Sequence, residues 1–379
     1  MPIKVETNIP YGNACDVSVQ EEKGITVVSL AADPHGGPET LWFCFRLRQT
    51  RQARQGGKVK LVLKHLLNML GCANAPNLRP VVRRDGEDWE RMGPGKLEEF
   101  PDGRAQAVWV MDAPRKEADI AVCYPYGRQE LDALVEETDG YWQANVIGIS
   151  QGGRPLVRVS NGPGVRGSDR PGLYVVARQH SGETPSTWLL DGMLRYFASA
   201  GKAAPLVWAV PLTNIDGIEQ GDYGKDNFPY DLNRAWGSPA MRHEVLVFQR
   251  DMRRWADRCR PALGLDLHAP GGSEGDGIYA HICRGTTEGA RIKTVGEWAR
   301  LLGEAMGREY ACENFGRTTE WGERWLTPCF STFCWNALAM PALCVEVPYA
   351  VCGKTLMTRE HYREAGRRAA AALAKRLKG

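Results

Sequence analysis

The chain has 379 residues, 43% hydrophobic and 25% charged, an ordinary composition for a globular protein, and its length predicts two or three domains. A net charge of +3, with basic and acidic residues interleaved, leaves no field of one sign to grip a polyanion, which argues against a nucleic-acid partner. No apolar run reaches the roughly 18 residues that span a bilayer, and the opening residues lack the apolar core of a signal peptide, so a cytoplasmic protein without membrane contact is expected.

Residues 1 to about 115 read as short β-branched or aromatic strands between Gly, Pro and Asp clusters: Gly24–Leu30, Leu41–Leu47, Lys58–Leu63 and Ala105–Met111. They predict an all-β sandwich domain over residues 1–120. After Tyr124-Pro-Tyr126 the rhythm changes, and residues 121–379 read as a second, catalytic domain. Helical spacing covers Arg128–Thr138. Strands are then expected at Leu173–Ala177, Leu206–Val210, Ala262–Leu267 and Ala342–Val347. Helices are expected at Thr184–Ala198, Arg242–Asp257, Glu288–Met306 and Arg359–Leu377. Such alternation predicts an α/β fold, a mixed sheet with helices on both faces. The eleven cysteines are odd in number and lack C-x-x-C spacing, and Cys44, Cys123 and Cys344 sit in apolar runs, which predicts a reduced chain.

Chemistry concentrates where predicted strands end. Val176-Ala-Arg-Gln-His180-Ser-Gly-Glu183 closes a strand on a histidine and opens a helix on a carboxylate, two good zinc ligands. Pro261-Ala-Leu-Gly-Leu-Asp-Leu-His268 closes a second strand on a histidine. Three protein ligands with one position left for water make a catalytic zinc site, so His180, Glu183 and His268 would hold one Zn2+. Pro341-Ala-Leu-Cys-Val-Glu346 places a carboxylate in an apolar strand, costly to bury unless it faces a polar cleft, and it is the natural general base for an activated water. In open α/β sheets ligands gather beyond the carboxyl ends of strands, where all of these residues fall.

With those residues in place, the chain resembles the zinc metallocarboxypeptidases of the carboxypeptidase A and B superfamily, and within it is similar to the cytosolic carboxypeptidases. The family's H-x-x-E with a distant histidine is matched by His180, Glu183 and His268, and its late-strand glutamate by Glu346. Its N-P-D-G and D-L-N-R-x-W segments are matched by Asn214-Ile-Asp-Gly217 and Asp231-Leu-Asn-Arg-Ala-Trp236. Tyr124-Pro-Tyr126, Gly148–Pro155 and the N-terminal β-sandwich are further points of likeness. The resemblance implies hydrolysis of a C-terminal peptide bond, with Asn233 and Arg234 holding the substrate carboxylate. Two departures stand out. Gly224, followed by Lys225, occupies the place of the arginine that polarises the scissile carbonyl, and Ile215 stands where proline is usual. Lys225 is the candidate substitute cation, although it lacks the guanidinium fork.

Other readings use the same residues. Without that arginine, the enzyme could be a zinc amidase or deacylase acting on a small non-peptide amide. Gly148-Ile-Ser-Gln-Gly152 fits the nucleophile elbow of serine hydrolases, but a turn and a strand follow Ser150 where that motif needs a helix. Arg234 could brace the fold through Asp216 or Asp231. Asp266 could orient an imidazole or lie on the surface, and His243 and His281 read as structural. Arg317, Arg324 and Lys354 are expected in loops near the cleft.

Overall fold

The computed structural model describes residues 3–50, 57–283, 289–319 and 327–378. The N-terminal part is built from β1 (Ile3–Glu6), β2 (Cys15–Glu22), β3 (Ile25–Ala31), β4 (Cys44–Gln49), β5 (Lys58–Leu63), β6 (Val81–Arg84), β7 (Glu90–Arg91), β8 (Lys96–Glu99), β9 (Ala105–Asp112) and β10 (Glu117–Ala121). These make two sheets, ordered β1-β4-β10-β6-β7 and β2-β3-β5-β9-β8. The two-residue side-chain period turns Val28, Leu61 and Trp109 inward, where they share a core with Phe45, Leu47, Val82 and Ile120. Val27, Val62 and Val108 form a small separate cluster.

The expected strand at Leu41–Leu47 begins three residues late, at Cys44. Leu41, Trp42 and Phe43 are buried all the same, because the approach to the strand packs against the second half of the chain. That half comprises α1 (Arg128–Glu137), β11 (Gln143–Ile149), β12 (Pro155–Ser160), β13 (Pro171–Ala177), α2 (Thr184–Ala200), β14 (Leu206–Val210), α3 (Ile215–Gln220), α4 (His243–Ala256), β15 (Arg260–His268), β16 (Ile278–Cys283), α5 (Gly289–Met306), β17 (Ala311–Thr319), α6 (Phe330–Leu338), β18 (Ala342–Glu346) and α7 (Arg359–Arg376). Its sheet runs β11-β12-β14-β13-β15-β18-β16-β17; the pairs from β14 to β18 and the β16–β17 edge pair are parallel, and the β11–β12, β12–β14 and β18–β16 pairs are antiparallel.

The central strands are mostly apolar because both faces are covered, with Asp266, His268 and Glu346 as the charged or polar exceptions near their carboxyl ends. On one face the Tyr174 hydroxyl donates to Asp251 of α4 at 3.0 Å, and Gly264 leaves room for Phe330 and Cys334 of α6. The alternate residues Leu173, Val175, Leu263 and Leu265 are also fully buried, toward α2, which is itself packed on α7. The fold is therefore the expected mixed α/β sheet behind an N-terminal β sandwich. Among the described residues no cysteine is joined in a disulfide.

A carboxylate held between two guanidinium groups anchors the first sheet. Asp119 on β10 lies between Arg46 of β4 and Arg83 of β6, accepting from Arg46 Nε at 2.6 Å and Arg83 Nη2 at 2.7 Å. Burial alone would raise the Asp119 pKa, but the two guanidinium groups outweigh it and hold the carboxyl below its ordinary range. A depressed carboxylate contributes stability that is complete above its unfolded pKa, near 4, and is lost as pH falls through the folded value. Asp119→Asn should therefore destabilise the protein by about 2 kcal/mol at pH 7. In thermal melts its deficit should shrink below about pH 4; a deficit that is constant with pH would show that the charge is not the cause.

Candidate metal and catalytic site

The sequence Arg178-Gln-His180 continues past the end of β13, and Glu183 sits at the N-cap of α2 with Pro185 in the first turn behind it. His268 is the last residue of β15, and in the parallel pairing with β18 it lies level with Glu346. Residues level on adjacent strands share a face, so register alone puts the carboxylate beside the imidazole.

His180, Glu183 and His268 offer one ligand atom each within 4.8 Å of one another, and all three are buried. His180 Nδ1 is 2.8 Å from Glu183 Oε1, His268 Nδ1 is 2.8 Å from Glu183 Oε2, and the two Nδ1 atoms are 3.2 Å apart. A tetrahedral ion with bonds of about 2.0–2.1 Å needs donor atoms roughly 3.3 Å apart. The donor set therefore fits a divalent cation: two nitrogens and a carboxylate converge in a space that water scarcely reaches.

The far side of each imidazole is also held. His180 Nε2 lies 3.2 Å from Asp231 Oδ2, and His268 Nε2 lies 2.9 Å from Asp266 Oδ1. Asp266 is buried and not on the surface, and a relay from Trp236 Nε1 to Gln179 and from Gln179 Nε2 to Asp266 fixes it at 2.7 Å per step. Such outer acceptors set the tautomer that presents Nδ1 to a metal. Burial favours neutral imidazoles, but Glu183 and Asp231 lift His180 to about 9, and Asp266 and Glu183 lift His268 well above its usual value. Burial opposes ionisation of Glu183 too, yet the flanking imidazoles hold it far below the normal range.

Glu346 differs. Burial, with the Glu183 charge, outweighs the pull of His268 and Lys225 and raises it to about 7. Its Oε2 is buried without a hydrogen-bond partner among the described residues, and its Oε1 is 3.6 Å from His281 Nε2. His281 thus stands beside the carboxylate; burial first, then His268, Arg317 and Lys225, depress it to about 4. Its alternation with Tyr279 on β16 was the available sequence signal, and a strand reading there would have brought it to this face.

The remaining candidates are placed as follows. Lys225 is half-buried, and its charge is felt at both Glu346 and His281. Gly224 has φ +82°, and a Cβ there would collide with Ser181, so this backbone has no room for an arginine side chain. Asn233 is buried behind His268: its Nδ2 is 2.9 Å from His268 Nε2, and its Oδ1 accepts from Phe330 N at 3.1 Å. Arg234 is half-buried, donates from Nη1 to Asn233 O at 2.9 Å, and lines a cavity of about 450 Å³ with Asp231, Tyr230 and Phe228. Its charge helps depress Asp231.

Ser150 lies in the turn between β11 and β12, where its hydroxyl donates to Asp216 at 2.8 Å and accepts from Arg154 N, with no histidine among these partners. Asp216 also binds Arg154 Nη1 and Gly152 N, while Asn214 caps α3. His243 is exposed. Arg317 lies on β17 and not in a loop, its guanidinium 3.8 Å from the centroid of the Tyr279 ring. Lys354 is exposed in a turn, and Arg324 is outside the described residues.

No family model matches the chain. In sequence it is 24% identical over 268 residues to cytosolic carboxypeptidase 6 of Mus musculus, covering 64% of this chain and 48% of that protein. It is 27% identical over 248 residues to cytosolic carboxypeptidase 2 of Danio rerio, covering 58% of this chain and 34% of that protein. The chain thus spans half or less of the length of these curated relatives. In structure it matches a metallo-carboxypeptidase from Burkholderia cenocepacia with a TM-score of 0.77 at 17% identity, over 98% of both chains. A metallo-carboxypeptidase from Pseudomonas aeruginosa, solved with (2-guanidinoethylmercapto)succinic acid, gives 0.76 at 19% identity, again over 98% of both. The chain has the metallo-carboxypeptidase fold and is related in sequence to the cytosolic carboxypeptidases, as its motifs imply.

Proposed function

We propose that this relative of the cytosolic carboxypeptidases is a cytoplasmic zinc metallocarboxypeptidase that hydrolyses the last amide bond of a peptide or protein C-terminus. The observation that carries the reading is the convergence of His180 Nδ1, His268 Nδ1 and the Glu183 carboxylate, with Glu346 level with His268 on the next strand. Those three residues would hold one Zn2+, which supplies Lewis acidity and an acidified water.

The chain's own residues do the rest. Glu346 accepts a proton at Oε2, the oxygen without a partner, and returns it to the leaving amine. A carboxyl raised to about 7 can do both near neutral pH, since it binds and releases protons at similar cost there. Lys225 neutralises the charge that develops on the scissile carbonyl, and Arg234 pairs with the terminal carboxylate through its guanidinium fork. Asn233 sits one residue earlier, and its amide would have to turn away from His268 and Phe330 to join it.

Side-chain preference follows from the sheet face beyond Glu346. Tyr279 is level with Glu346, and His281 with both Cys344 and Arg317, so these residues form a polar row from the catalytic carboxylate toward the edge strand. A row that carries Arg317 and is overlooked by Lys225 suits a substrate ending in an acidic residue. The second reading, an amidase or deacylase acting on a small amide, draws on the blocked position at Gly224, which removes the bidentate arginine from the carbonyl side.

A panel of peptides ending in Glu, Leu or Lys, set beside N-acyl amino acids, separates the two readings. Turnover fastest on the Glu-ending peptide is expected, and turnover of acyl amino acids alone would replace the proposal with the amidase. Glu346→Gln should lower kcat by about 10²–10⁴-fold while zinc content, read by atomic absorption, stays at one per chain. Lys225→Ala should lower kcat by about 10²–10³-fold; an unchanged rate would remove Lys225 from the reaction. Arg317→Glu should reverse the ranking of Glu- and Lys-ending peptides, and an unaltered ranking would place the specificity elsewhere.

A further inference from the structure

We infer that the N-terminal β region is a working part of the metal site, holding the turns that present its ligands; this rests on the zinc reading above. Three of the loops that carry the site are fastened to it.

The turn after His268 is the most fully fastened. Gly272 N donates to Leu70 O at 2.8 Å, and Ser273 N donates to Gly71 O at 3.0 Å. The Ser273 hydroxyl donates to the same carbonyl and accepts from Asn74 N at 3.0 Å, while Asn77 Nδ2 donates to Ser273 O at 3.1 Å. Gly71, at φ +62°, and Gly271 meet backbone to backbone, and a Cβ on either would strike the other. Gly272 has the same close relation to Leu41 and Cys72. Between this seam and the imidazole lies Ala269, whose N–H donates to Glu183 Oε2 at 3.1 Å. A shift of the seam therefore reaches two ligands at once, His268 through the chain and Glu183 through this bond.

The H-x-x-E turn is held as well. Gly182, between His180 and Glu183, has no room for a Cβ because Trp42 lies on one side and Tyr223 on the other. Trp42 is in turn set by its indole N–H, which donates to Tyr11 O at 2.9 Å. The loop leading to Lys225 is held by Asn13 Nδ2 on Gly221 O at 2.9 Å and by His35 Nδ1, 2.7 Å from Asp222 Oδ1. Donor atoms must keep their spacing to within a few tenths of an ångström to hold a tetrahedral ion, so loops pinned from outside the catalytic sheet raise affinity by staying in place before the ion arrives. Ser273 and Asn77 are positioning residues by this account.

The test uses the full chain with Ser273→Ala and Asn77→Ala, both changes away from the ligand atoms. Zinc affinity is read by competition with a chromophoric chelator, the cobalt(II) derivative by its visible absorption, and the metal-free fold by thermal unfolding. Ser273→Ala, and more so the double variant, should weaken zinc binding about tenfold or more and change the cobalt bands. Zinc affinity and cobalt bands equal to those of the unmodified chain, whatever the unfolding temperature does, would overturn the inference and leave the seam a structural joint. An unmodified chain that bound neither ion would sink the zinc reading itself.

Discussion

Everything in the second half of the molecule answers to one electrostatic constraint, the burial of two imidazoles and a carboxylate with their ligand atoms facing one another. Two Nδ1 atoms 3.2 Å apart present lone pairs to each other unless positive charge lies between or upon them. Protons can supply that charge, and the elevated pKa values of His180 and His268 show how strongly the surrounding carboxylates call for it. A divalent cation supplies it to all the converging donor atoms at once, without asking an imidazolium to sit in a dry interior. Asp231 and Asp266 serve either case, because an acceptor at Nε2 keeps a hydrogen there and turns Nδ1 inward.

The sheet meets this constraint by register more than by loop design. Parallel pairing of β15 with β18 sets His268 level with Glu346, Asp266 level with Cys344, and Gly264 level with Ala342. The two-residue period then sends Asp266, His268 and Glu346 to one face. A slip of one residue in β18 would bury Val345 in the site and turn Glu346 into the opposite layer. The apolar residues between them, Leu265, Leu267 and Val345, are within 1% of full burial and make that slip costly, so the packing that stabilises the fold also aligns the chemistry.

The same logic explains which parts of the protein could be read in its sequence. Strands buried on both faces and long helices announce themselves by composition and period, so Lys58–Leu63, Leu206–Val210 and the helix from Thr184 lie where the pattern puts them. The convergence of His180, Glu183 and His268 was legible because each member ends or follows such an element. β16 and β17 were not, since Tyr279, His281 and Arg317 interrupt their apolar runs with polar side chains. α3 is six residues long and carries Gly217, too short for a period to show. Asp231 and Gln179 escaped for a different reason: their roles exist only through contacts with residues 51 and 87 positions away, and no local pattern encodes these.

Ser181 shows why the missing arginine is more than a substitution. Its hydroxyl donates to Asp222 O at 2.9 Å, which draws the 221–225 loop onto the H-x-x-E turn, and Gly182 N adds a second bond to Tyr223 O at 2.9 Å. Gly224 closes that contact in a left-handed conformation open mainly to glycine, with Ser181 where a Cβ would go. An arginine side chain at this position would require the loop to lift off the turn that carries His180 and Glu183. On the proposed reading the cation on the carbonyl side would come from a neighbouring position, and Lys225, whose charge is already felt at Glu346, is the candidate for it. A compact ammonium polarises a carbonyl as a point charge without fixing its plane. On that reading substrate orientation would depend more on the contacts beyond Glu346 than on a bidentate grip at the reacting bond.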